Sequence, residues 1–146
     1  MHRKLILALA CLLVTAAAPA VAFAAGNGAV RQDLTSDTRG DCSIGGSGPF
    51  PIGYVILNKA GDHVSAVIAL RGAPADGRWE IELDQTPLMG CGNAVGTIAT
   101  NARGSGNAVV RDAFEPGNTG AFVRLDALND AAQAAGIVAS AGTQLP

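Results

Sequence analysis

In the run RWEIELD (78–84), Trp79, Ile81 and Leu83 alternate strictly with Glu80, Glu82 and Asp84. A period of two puts one face of a strand in a core and the other in water. This is the clearest such signal in the chain. PIGYVILN (51–58) is also strand-like, but it has Ile52, Tyr54 and Ile56 on one face and Val55 and Leu57 on the other, so it predicts a strand covered on both sides. HVSAVIALR (63–71) places Val64, Ala66, Ile68 and Leu70 in register. Weaker strands follow at 94–100, 107–114 and 120–127. NKAGDH, GAPADG, NARGSG and EPGNTG separate these runs, and Gly, Pro, Asn and Asp mark them as turns.

The segment before Pro51 has a different character. Residues 26–50 are rich in Gly, Ser, Asp and Thr, and they read as a polar arm with room for one edge strand around 29–34. After 127 the pattern is ambiguous: a short helix over 128–135 and a final strand over 136–140 both fit. Six or seven short strands with a turn about every ten residues predict an all-β fold, an antiparallel immunoglobulin-like sandwich. No strand–helix alternation points to a parallel sheet.

The N-terminus assigns a compartment. MHRK is a basic n-region, and the apolar run after it ends in small residues of the A-x-A kind, Ala22-Phe23-Ala24 or Ala20-Val21-Ala22. This predicts a secretory signal peptide over 1–24, a polar arm over 25–50 and a sandwich domain over 51–146. Pro19 and the alanine-rich end favour cleavage over a retained membrane anchor. Cys11 has Ala8, not a leucine-like residue, three places before it, so the lipoprotein signal is incomplete. The expected product is a secreted, extracellular domain of about 120 residues, enough for one core.

Export changes the reading of the cysteines. Cys42 and Cys91 remain after cleavage, and an even pair in an exported chain is expected to form a disulfide. Beyond residue 24, eight Arg and Lys stand against twelve Asp and Glu. That balance offers no basic stripe for nucleic acid and no polybasic membrane patch. Scarce lysine beside plentiful Ala, Gly, Arg and Asp fits a GC-rich bacterial genome.

The run FPIGYVILN…VSAVIALRGAPADGRWEIEL…GTIATNARGSGNAVV…GAFVRL resembles small exported bacterial β-sandwich proteins of immunoglobulin-like fold. The likeness covers Phe50 to Leu125 and rests on an ALRGAP-type turn and a later T-N-x-x-G-x-G-N hairpin. It implies the fold and no catalytic residues. A more distant likeness is to neocarzinostatin-type apoproteins, in size, export and the glycine-rich hairpin after a threonine strand. Those proteins carry antibiotics, which implies a small-ligand carrier as an alternative.

Candidate chemistry is sparse. His63 is the one histidine beyond the signal segment, too few for a multi-histidine zinc set, and no G-x-S-x-G elbow presents a serine to it. It reads as an exposed residue at a strand start. The Asp residues near strand ends form no D-x-[DN]-x-[DN]-G calcium loop. Glu80, Glu82 and Asp84 read as the wet side of a sheet, not as an acid–base pair. Trp79 reads as core. Phe122 alternates with Arg124 and Asp126, so Phe122 and Arg124 are the expected contact surface. Arg39-Gly40-Asp41 spells an adhesion tripeptide but reads as turn chemistry beside Cys42. No catalytic residue, cofactor or metal is assigned. The expected function is a secreted, non-catalytic binding module with a protein or surface partner. The alternatives are a carrier of a small apolar ligand and an inhibitor of exported proteases.

Overall fold

The computed structural model describes residues 28–37, 48, 50–87 and 92–146. The fold is all-β and antiparallel, with nine strands and one short helix in the order β1 (Val30–Asp37), β2 (Pro51–Ala60), β3 (His63–Leu70), β4 (Arg78–Thr86), β5 (Ala94–Ala99), β6 (Gly106–Ala113), β7 (Gly120–Ala127), α1 (Asp130–Gln133), β8 (Ile137–Ser140) and β9 (Thr143–Gln144). The six strands expected between 51 and 127 all form, within two residues of their predicted ends. Both readings of the tail are realised, first a one-turn helix and then a strand.

The strands pair as β5-β4-β7-β8-β1-β2-β3-β6, with β9 beside β7. This is one continuous sheet, curled until its end strands β5 and β6 meet. The sequence predicts two stacked sheets and six or seven strands, whereas the structure has a nearly closed barrel of nine. The difference lies in β1 and β8. β1 pairs with β2 over Val30–Thr35 and with β8 over Leu34–Asp37, so it is an internal strand, not an edge. It joins the first half of the sheet to the last. Its sequence VRQDLTSD is polar because its backbone ladders hold it, with Leu34 alone fully buried in the core.

Closure needs small residues at the seam. A side chain on Gly106 would collide with the backbone carbonyl of Ala99, and one on Gly96 with Val110. These two glycines let β5 and β6 approach without ladder pairing. Gln85 of β4 spans the same seam: its Nε2 donates to the Ala113 carbonyl at 2.6 Å and its Oε1 accepts from the Glu115 N–H at 2.8 Å.

Side chains fill the interior. Trp79, Ile81 and Leu83 meet Leu57, Ile68, Val123 and Leu125 there, as the alternation of β3 and β4 predicts. The β2–β3 loop is two residues long with Gly61 at φ +64°, a conformation that costs a glycine little. Asn129 caps α1 by accepting the Ala132 N–H at 3.0 Å, and it also accepts the Arg78 N–H, tying the helix to the start of β4. No helix among the described residues is long and apolar enough to cross a membrane. The expected signal peptide over 1–24, Arg39-Gly40-Asp41 and both cysteines of the expected disulfide, Cys42 and Cys91, lie outside the described residues.

Candidate binding face

Register assigns each outward side chain to a row. On the wall formed by β1, β2, β3 and β6, the outward residues are those that alternate with the buried core. One row runs straight across all four strands: Arg31 faces Ile56, Ile56 faces Val67, and Val67 faces Val109. The next row holds Asp33, Tyr54, Ala69 and Asn107. Ile56 and Val67 are half-buried, and Val109 is 55% exposed in the middle of β6. Branched apolar side chains thus line up in contact with water, backed by a complete core on the other side of the same strands.

Arginines border this row. Arg31 lies over the Tyr54 ring with its guanidinium carbon 4.5 Å from the centroid, and Arg71 approaches the same ring at 5.7 Å. Arg31 also pairs with Asp33 at 3.5 Å. Toward the β2–β3 turn the rows become polar: Asn58, Ser65 and Arg111 form one, and Ala60, His63 and Ala113 the last. Between β3 and β6 here is an open dent of about 270 Å³ lined by Ala60, His63, Ser65, Val109, Val110 and Arg111. His63 starts β3 as expected, and its Nδ1 lies 2.5 Å from Asp62 Oδ1. That hydrogen bond is the main reason the Asp62 carboxyl is held below its ordinary range. The Ser65 hydroxyl donates to the Asn58 carbonyl at 3.3 Å, not to His63, so the three residues form no nucleophilic relay.

The opposite wall corrects two expectations. Phe122 shares a face with Arg124 and Asp126, as its alternation predicts, but it is only 1% exposed. It is therefore not a contact residue. The wet stripe of β4 is also largely covered: Asp84, directly opposite Phe122, is 1% exposed, and Glu82 is opposite Arg124. The Gly92 N–H donates to Asp84 Oδ1 at 2.5 Å, so backbone eight residues further along the chain reaches this carboxylate. Arg124, with 12% of its side chain exposed, lies 3.6 Å from Glu82 and 2.9 Å from Asp126. It is a structural cation between two carboxylates, not an exposed probe. Burial raises the Glu82 and Asp84 carboxyls above their ordinary range, against the pull of Arg124 on both and of the Gly92 N–H on Asp84. Period two reports which residues share a face. It cannot report whether that face is covered.

Among the described residues no group of three or more His, Cys, Asp or Glu is placed to hold a metal ion. The row Ile56–Val67–Val109 was missed in the sequence because 51–58 is apolar on both faces and β6 alternates weakly. The available signal was Val109 beside Val110, two branched residues that must face opposite ways. Comparison with protein-family models, with curated proteins and with solved structures finds no match for this chain.

Proposed function

We propose that this protein is an exported, non-catalytic binding module that recognises a protein partner through the outward wall of β1, β2, β3 and β6. The observation that carries this reading is the Arg31–Ile56–Val67–Val109 row, with Val109 more than half exposed at mid-strand. Single exposed apolar residues are ordinary, but a contiguous row on a rigid sheet is the usual form of a contact surface. Arg31, Arg71 and Arg111 outnumber Asp33 and Asp62 around the strip, an excess that favours an acidic partner. The packed interior favours a surface over an internal ligand cleft. The same reading takes Cys42 and Cys91 as a bridge formed after export, and thiol counting on the secreted protein tests that part.

Site-specific cross-linking tests the face. A photoreactive residue at 109 is expected to capture a defined partner in the native extracellular fluid, and one at the exposed Thr97 of β5 is not. Val109→Asp is expected to compete poorly for that partner while keeping the fold. Equal capture from both positions, or full competition by Val109→Asp, refutes the proposal.

A further inference from the structure

We infer that the dent between β3 and β6 is an anchor for a carboxylate carried by an acidic segment of the partner. This rests on the reading of the face above and gives that face its chemistry. Three features converge on the dent. Arg111 lines it and takes part in none of the ion pairs among the described residues. His63 lines the dent with its ring held through Nδ1 by Asp62; in the neutral ring that bond makes Nε2 an acceptor, so His63 shapes the dent and Arg111 supplies the donors. Val109 forms the wall next to the apolar row.

The acids on this side are already engaged. Asp62 holds His63, Asp33 pairs with Arg31, and Asp112 lies on the other face of β6 with its Oδ1 accepting the Ala113 N–H at 2.8 Å. Arg111 is exposed on β6, its charge is felt by the Asp62 carboxyl, and it makes no ion pair among the described residues; its guanidinium fork suits a carboxylate's two oxygens. Ser65 sits opposite Arg111 across the strand pair, and its hydroxyl oxygen retains acceptor capacity toward any water that a carboxylate carries with it. An acidic residue two positions from an apolar one would place the carboxylate in the dent and the apolar side chain on Val109 and Val67, because both are features of one pleated surface.

The test is a titration of the isotopically labelled protein with an acetylated Glu-Ser-Leu-Ser-Glu peptide, whose acids lie two positions from its leucine, and with its Gln-Ser-Leu-Ser-Gln counterpart, followed by amide and side-chain resonances. The acidic peptide should shift His63, Ser65 and Arg111 together. Arg111→Gln should weaken it roughly three- to fivefold, as expected for an exposed ion pair. His63→Gln should weaken it less. Equal affinity for the two peptides, no response in the dent, or an unchanged affinity in Arg111→Gln each overturns the anchor. If the partner cross-links at 109 while the dent stays silent, the anchor falls and the binding face stands. If the acidic peptide seats in the dent but 109 captures nothing, the anchor stands and the wider face falls.

Discussion

Replacing Thr100 with valine changes almost nothing in shape and removes one oxygen. Thr100 is buried after β5, where its Oγ1 accepts the Gly77 N–H at 2.9 Å and donates to the Pro74 carbonyl at 2.6 Å. The Thr100 N–H also binds the Gly77 carbonyl at 2.9 Å, so one residue holds the backbone on both sides of Gly77. Gly77 in turn lies against the Trp79 ring so closely that a side chain there would collide with it. In Thr100→Val the Gly77 N–H is left buried without a partner, at a cost of about 1–3 kcal/mol. The Pro74 carbonyl is better placed to find water and adds roughly 0.5 kcal/mol. The new methyl group returns up to about 0.8 kcal/mol. The net expectation is a loss of roughly 1–3 kcal/mol. Thr100→Ser keeps the hydroxyl and removes one buried methyl, for a loss of about 1 kcal/mol. The expected order of stability is therefore threonine, then serine, then valine, the reverse of hydrophobicity for the last two. Urea unfolding followed by the fluorescence of Trp79, the one tryptophan, measures it. With a slope of about 1–3 kcal/mol per molar urea, a 2 kcal/mol loss moves the midpoint by about 1 M. A valine variant as stable as the parent, or more stable than the serine variant, would refute the account of this latch.

Asp84→Asn should flatten the pH dependence of stability. The raised Asp84 carboxyl means that, between the ordinary carboxylate range and its value in the fold, the folded chain binds more protons than the unfolded one. Stability from this group therefore falls as pH rises through that window and is regained in acid. Melting curves should show the variant gaining on the parent toward neutral pH and losing that advantage in acid; parallel curves would refute it. Arg124→Ala should cost roughly 1–3 kcal/mol in urea, because it leaves Glu82 and Asp126 half-buried without their shared cation. Gly106→Ala should lower stability by about 1–3 kcal/mol and open the β5–β6 seam, seen as faster amide exchange in both strands.

The alternation of Trp79, Ile81 and Leu83, the aligned Val64, Ala66, Ile68 and Leu70, and the turn residues between them determine the strands of the middle of the chain without any knowledge of the fold. These are local signals, because side-chain period and turn chemistry act over a few residues. The tail was legible as two options that proved to be successive elements. What the tertiary structure alone decided is of another kind. β1 is polar, and only its pairing with β2 and β8 makes it an internal strand that carries the sheet round toward closure. Phe122 and Asp84 were placed on the right face by their period, yet only the tertiary structure shows that this face is buried at both. Val109 and Arg111 belong to one surface with Ile56, Val67 and His63 because the β2–β3–β6 register sets them in adjacent rows, from positions up to 55 residues apart. Backbone pairing between distant segments depends on loop closure and on competition among all strands at once. No window of a few residues contains that information, so the sequence determines the strands and the folded sheet decides which of their faces meet water.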